Sequence, residues 1–323
     1  MKLATLADGS RDGRLLVVCR DLASACEAPG ARTLQAALDD WDKVAPGLAA
    51  TARDLAEGRV AGFPLRIEAL MAPLPRAFGF IDSSVYLSHM ERARALRGAT
   101  LPDTFRQEPL ISLRIAAPFL GPRAAVPPQA ADAGIDLEAE VAVITGDVAA
   151  GTSSAGAAAQ IRLVTLVNDI SLRGVIAAET AAARSVYRGK IQAAMAPVAV
   201  TPDELGPYWT GRELRRAIAV DINGAPFGRP DAGRDAAFDF GEIIAYAASF
   251  RPLEAGTVVA SGTVSNADAS AGTACIAARR MIETRETGAA KTPYLAAGDR
   301  VRIDVMDDDG RSIFGAIEQV VGG

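Results

Sequence analysis

The stretch Gly134-Ile135-Asp136-Leu137-Glu138-Ala139-Glu140-Val141-Ala142-Val143-Ile144 limits the folds open to this chain more than any other. Its apolar density predicts a strand, whose side chains alternate between two faces. Leu137, Ala139, Val141 and Val143 then form one apolar side, and Glu138 and Glu140 emerge together on the other. Two carboxylates on one face repel each other, so on a hydrophobic strand one takes up a proton or a cation neutralises both. A divalent metal ion meets that requirement economically. An edge strand that leaves both glutamates in water meets it without any ion, and at this point both readings stand.

Half of the 323 residues are hydrophobic, enough for one large core or for two unequal domains. Acidic residues outnumber basic ones by 39 to 34, giving a net charge of -5. No footprint for nucleic acid or an anionic membrane surface is therefore expected, and small-molecule chemistry is. No apolar segment reaches the ~18 to 20 residues of a membrane span. The opening MKLATLADGSRDG lacks the cationic and apolar regions of a signal peptide, so a cytoplasmic location is expected. Cys19, Cys26 and Cys275 have neither zinc-site nor disulfide-framework spacing, and His89 is the only histidine. A metal here must be held by oxygen, which favours magnesium, calcium or manganese.

Along the chain, Lys2 to Leu6 and Leu15 to Cys19 flank a turn-rich connector and predict a hairpin. Thr33 is a candidate N-cap for helical sequence through Leu34, Leu38 and Trp41 to about Gly58, despite Pro46. Residues 1–75 thus read as a small α+β domain and 76–323 as a larger domain carrying the unusual ionisable residues. Asp82 is placed to cap a helix on which Ser83, Tyr86 and His89 recur every three residues. Leu163 to Val167 predicts a second apolar strand, ending in Asn168-Asp169, where the aspartate is either a helix N-cap or a third oxygen ligand beside the glutamates. Asn223-Gly224 is a type I′ hairpin signal and Phe240 to Phe250 predicts a helix. Asp307-Asp308-Asp309-Gly310 lacks the spacing of a calcium loop and reads as a hairpin tip.

Six motifs come in a telling order: Asp82 with His89 seven residues on; Glu138-Ala139-Glu140; Asn168-Asp169-Ile170-Ser171-Leu172-Arg173; Gly189-Lys190 before Ala196-Pro197-Val198; Asp221-Ile222-Asn223-Gly224; and Ala260-Ser261-Gly262-Thr263-Val264-Ser265. Over about residues 75–323 this set resembles the fumarylacetoacetate hydrolase family. The resemblance implies an α+β, mostly β fold, with mixed sheets forming a roll or sandwich around the site behind a small N-terminal domain. It implies magnesium or calcium, with manganese as a further choice, on Glu138, Glu140 and Asp169, joined by Asp82. His89 would then be the general base, Lys190 would stabilise an oxyanion, and Arg173 would hold the acidic motif or a substrate carboxylate. Tyr86, Ser261 and Thr263 would contact substrate. The implied reaction is hydrolysis of a carbon-carbon bond in a diketo acid, such as fumarylacetoacetate, fumarylpyruvate or another acylpyruvate, in tyrosine or aromatic-compound breakdown, by a homodimer. Its rivals are decarboxylation, hydration or isomerisation of a keto acid on the same scaffold, and a catalytically silent metal-binding protein.

Two positions depart from the family hydrolases. The glutamate that orients the histidine aligns to Ala278, which leaves water or another acid such as Glu283 to fill in. Ile176 stands where an amide is carried near the oxyanion.

Overall fold

The glutamate-bearing stretch is not one strand. In the computed structural model, which describes residues 1–96, 98–116 and 118–322, it divides into Ile135–Asp136 and Ala139–Thr145. The longer piece is buried on both faces and lies between Ile161–Asn168 and Thr257–Ala260 in an eleven-stranded sheet. The edge-strand alternative is thereby excluded. Glu138 falls in the break, so the two glutamates do not share one regular strand face as the alternation predicted.

Burial on both faces follows from the side chains. Val141 and Val143 enter one core with Val164, Leu166 and Val259. Ala142 and Ile144 enter a second core with Phe80, Leu163, Val258 and the helical Leu34, Leu38, Leu48 and Leu55. A strand that feeds two cores has no place for a charge except at its ends.

The predicted N-terminal hairpin forms, with Lys2–Leu6 antiparallel to Arg14–Val18. Lys2–Leu6 also pairs with Ala199–Val200, so the N-terminal strands extend the same large sheet. The expected helix occurs as Leu34–Asp39 and Trp41–Ala56, with Thr33 Oγ1 accepting from Ala36 N at 3.2 Å. Four further strands, Ala219–Ile222, Ala225–Gly228, Arg300–Asp304 and Ile317–Val320, make a second sheet. Its type I′ turn is present, with φ of 53° at Asn223 and 78° at Gly224. The helix Phe240–Ala247 starts on a capping box between Asp239 and Glu242. Asp307 Oδ1 accepts from the backbone of Asp309 and Arg311, which closes the acidic hairpin tip without an ion. The three cysteines are unpaired. Among the described residues, no helix is long and apolar enough to cross a membrane.

One expectation fails at Asp82. The segment Gly79–Ser83 is a strand, and the helix Leu87–Ala95 starts only after Tyr86, whose side chain makes no cap. Parallel pairing of Gly79–Ser83 with Thr257–Ala260 gives these apolar residues a full ladder in the core, which outweighs the local capping preference of an aspartate. His89 is consequently the third residue of its helix rather than two turns in.

Strand directions decide where the acidic residues meet. Ala139–Thr145 runs antiparallel to both neighbours, with Ala139 opposite Asn168 and Ala142 opposite Ala260. Thr257–Ala260 in turn sets Ala260 beside Asp82. The end of Gly79–Ser83, the start of Ala139–Thr145 and the residue after Ile161–Asn168 therefore share one end of the sheet. Asp82, Glu140 and Asp169 stand there.

Candidate active site

Ligand-capable oxygens of Asp82, Glu140 and Asp169 lie within 4.8 Å of one another, and all three residues are buried. Four of their oxygens, Asp82 Oδ1, Asp169 Oδ1 and both of Glu140, have no hydrogen-bond partner among the described residues. Buried carboxylate oxygens left this way are costly unless something charged meets them, and an all-oxygen set suits a hard divalent cation. Burial first, then the charges of Asp82 and Asp169, drives the Glu140 carboxyl well above the usual range. Asp82 is pushed up to about 7, by burial and then by Asp169. Asp169 is not a helix cap, since the next helix, Arg173–Ala181, starts after Leu172.

Glu138 stands beside this group with both oxygens engaged. Oε1 accepts from Lys190 Nζ at 2.9 Å and from the Ser171 hydroxyl, and lies 2.9 Å from Arg173 Nη2. Oε2 accepts from Thr263 Oγ1 at 2.6 Å. Burial alone would raise its pKa, but Lys190 and Arg173 outweigh that and hold it well below the usual value. Its backbone is fixed too, with N–H donating to Asn168 Oδ1 at 3.0 Å. Glu138 is thus a charged anchor for two cations, while Glu140 presents free oxygens.

Lys190 donates to Glu138 and to Asp169 Oδ2, which leaves one of its three N–H donors over. Burial works against its charge, but Asp169, Glu138 and Asp82 more than offset this and raise its pKa. The loop before it is held by Glu179, whose carboxylate accepts from the backbone N–H groups of Tyr187, Arg188 and Gly189. Ile176 packs against that loop: a Cβ on Gly189 would lie 2.3 Å from Ile176 Cγ1. Arg173 holds the acidic motif, with Nε 2.8 Å from Asp136 Oδ2. Asp136 also accepts from the backbone of Ile276 and Ala277 at 2.7 and 3.0 Å, tying this network to the first turn of helix Ile276–Thr287.

Tyr86 donates its hydroxyl to Ala232 O at 2.8 Å, and Ser261 donates to Gly262 O at 2.8 Å. Both hydroxyls are thus engaged with backbone, and only Thr263 reaches the acidic network. The turn that carries them needs Gly262, with φ of 78° and a site where a Cβ would sit 2.1 Å from Ser83 O.

His89 is half-buried, and its Nδ1 is buried without a partner among the described residues. Burial first and the Arg173 charge second lower its pKa to about 4. Glu283 does not fill the gap at Ala278. Its carboxylate accepts from Lys291 N at 2.7 Å and from Thr292 N at 2.9 Å, in the segment that follows its own helix. The imidazole is therefore neutral near pH 7 and, among the described residues, has no carboxylate to fix its tautomer.

Two participants went unread in the sequence. Asp136 extends the alternation Asp136, Glu138, Glu140, and that spacing was the available signal. Arg114 approaches Asp82 and Asp169 from the strand Ile111–Leu113, and no local pattern marks it.

The family model described as fumarylacetoacetate (FAA) hydrolase C-terminal matches residues 81–322, and that described as fumarylacetoacetase N-terminal domain 2 matches residues 1–76. The chain belongs to the fumarylacetoacetate hydrolase family. Among solved structures it is similar to a maleylpyruvate hydrolase from Sphingobium sp. SYK-6, in complex with manganese(II) ion and pyruvate, at 19% identity and a TM-score of 0.67 over 100% of both chains. It is also similar to a 5-carboxymethyl-2-hydroxymuconate delta-isomerase from Mycobacterium smegmatis, at 19% identity and a TM-score of 0.62 over 100% of this chain and 98% of that one. No curated protein matches the chain in sequence. At such identities these likenesses establish the fold.

Proposed function

We propose that this chain is a divalent-metal-dependent enzyme that hydrolyses a carbon-carbon bond in a diketo acid of the acylpyruvate type. The observation that carries the reading is the set of four unpartnered buried oxygens on Asp82, Glu140 and Asp169. Manganese and pyruvate in the Sphingobium hydrolase support the same ion class and a 2-keto acid ligand. When bound, the ion would be held by those three carboxylates and would supply a Lewis acid for the two oxygens of a 1,3-dicarbonyl.

The chain's own residues account for the remaining chemistry. His89, neutral at working pH, takes a proton from water as its oxygen bonds to the carbonyl carbon distal to the keto acid. Lys190 offers its remaining N–H to the oxygen that becomes negative. The carbon-carbon bond then breaks, its electron pair passes to the enolate carbon, and the proton from His89 completes the second product. A homodimer belongs to the same proposal.

A second reading has its own support. With Ala278 in place of an orienting acid and His89 Nδ1 unpartnered, water activation is less well directed, whereas isomerisation or decarboxylation of a keto acid needs no attacking water. A panel of fumarylpyruvate, other acylpyruvates, fumarylacetoacetate and oxaloacetate separates these readings. Enol absorbance is followed with and without EDTA, and products are identified by mass. EDTA-sensitive cleavage of an acylpyruvate into pyruvate and a second acid is expected. Conversion without gain of water would favour the second reading, and silence on every substrate would leave a metal-binding protein.

Metal uptake should also depend on pH. Asp82 is raised to about 7 and Glu140 well above its usual value, so both favour holding protons in the metal-free protein more than ordinary carboxylates do. A cation must displace them, so affinity falls as the pH drops, by up to ~10-fold per unit for each proton released. Manganese titrations between pH 6 and 8 should show this slope, and a pH-independent affinity would contradict the raised proton affinity assigned to these groups.

A further inference from the structure

We infer that Arg114 sets how tightly the carboxylate cluster holds its divalent ion, as a built-in cation that shares two of the ion's ligands. The inference rests on the metal-dependent reading above. Arg114 follows the strand Ile111–Leu113, and its backbone N–H donates to Phe80 O at 2.8 Å. Ser112 lies opposite Asp82 in that pairing, so Arg114, two residues on, shares the face of Asp82. Its side chain is 13% exposed, with Nη2 2.5 Å from Asp82 Oδ2 and Nε 3.4 Å from Asp169 Oδ2.

The choice of oxygens is informative. Arg114 takes Oδ2 of both aspartates, and Oδ1 of both is left without a partner, beside the two free oxygens of Glu140. One guanidinium therefore orients two ligands while withholding half of each. The charges close in the same way. In the linked network, Asp82, Asp136, Glu138, Glu140 and Asp169 face Arg114, Arg173 and Lys190. With every group ionised, two negative charges remain, the charge of one divalent ion. A planar fork can engage two carboxylates at once, which a lysine ammonium on this strand does less well.

Two consequences of removing Arg114 oppose each other. Loss of its hydrogen bonds frees the aspartates to turn, which weakens the site modestly. Loss of its charge removes repulsion of a doubly charged ion a few ångströms away in a buried setting, and that Coulombic effect is the larger. Arg114 thus lowers affinity for the ion while giving the Oδ2 atoms of both aspartates a charged partner in the metal-free cluster.

The test uses the full chain, stripped with EDTA, and follows free manganese by electron paramagnetic resonance beside thermal melts. Wild type should bind one manganese ion. Arg114→Met should bind it at least ~10-fold more tightly, melt at a lower temperature without metal, and gain more in melting temperature on loading than wild type. Arg114→Lys should stay within ~3-fold of wild type, because it keeps the charge. If the methionine variant does not stay folded without metal, chelator competition starting from loaded protein reads the same affinity ratio. Equal or weaker binding by Arg114→Met, with wild type binding normally, overturns the inference alone. Absence of manganese binding by wild type overturns the metal reading and the inference with it.

Discussion

Glu140→Ala is expected to weaken manganese binding by more than ~100-fold and to take turnover down with it, since outer partners of a metal site alone are worth 10- to 100-fold. Glu140 contributes two of the four unpartnered oxygens, and it does so from a central strand that cannot shift without breaking ladders on both sides. No neighbouring acid can replace it. Glu138, two residues away, is held by Lys190, Arg173, Ser171 and Thr263, and turning it toward an ion would leave two buried cations without their anion. The variant should nevertheless fold. In the metal-free protein burial and the charges of Asp82 and Asp169 oppose ionisation of Glu140, so its removal relieves that conflict while costing some packing. Thermal melts should then show that manganese stabilises wild type but not the variant. Full manganese-dependent activity in Glu140→Ala would refute the ligand assignment.

How far the site was legible in the sequence depends on what each residue answers to. Glu140 and Asp169 could be read because each sits at the end of an apolar strand, where a charge conflicts with burial, and such conflicts are visible locally. Glu138 was read as Glu140's twin because strict alternation treats residues two apart alike, and alternation cannot foresee the break at residues 137–138. Asp82 was assigned to a helix start because local capping is written in neighbouring residues, whereas the parallel ladder that claims it depends on residues 257–260. Arg114 illustrates the same limit more sharply. Its partners lie 32 and 55 residues away, and only the order of strands in the sheet brings them together. The mixed-sheet scaffold was expected from the family resemblance, but the joining of the N-terminal strands to the central sheet depends on the pairing of residues 2–3 with 199–200, which periodicity does not encode.

His89→Ala should lower kcat by ~10²-fold or more if the imidazole is the base, as removal of a positioned proton acceptor generally does. The pH dependence sharpens this prediction. Burial and the Arg173 charge lower the folded-state pKa of His89 to about 4 from 6.5. A base is active when unprotonated, so the acid limb contributed by His89 should lie well below pH 6.5, and activity at pH 6 should stay near its plateau as far as this residue is concerned. Stability carries the same sign. An unfolded chain with its histidine near 6.5 takes up a proton before the folded one does, so as the pH falls from about 6.5 toward 4 this residue draws the equilibrium toward the unfolded state. Above pH 6.5 both states have neutral imidazole and the contribution is constant. In His89→Ala that part of the acid sensitivity should vanish, which denaturant titrations at pH 7 and pH 5 would reveal as a smaller loss than in wild type. A variant that keeps both the wild-type rate and the wild-type acid sensitivity would remove His89 from the chemistry and leave the proton transfer to a group on the substrate itself.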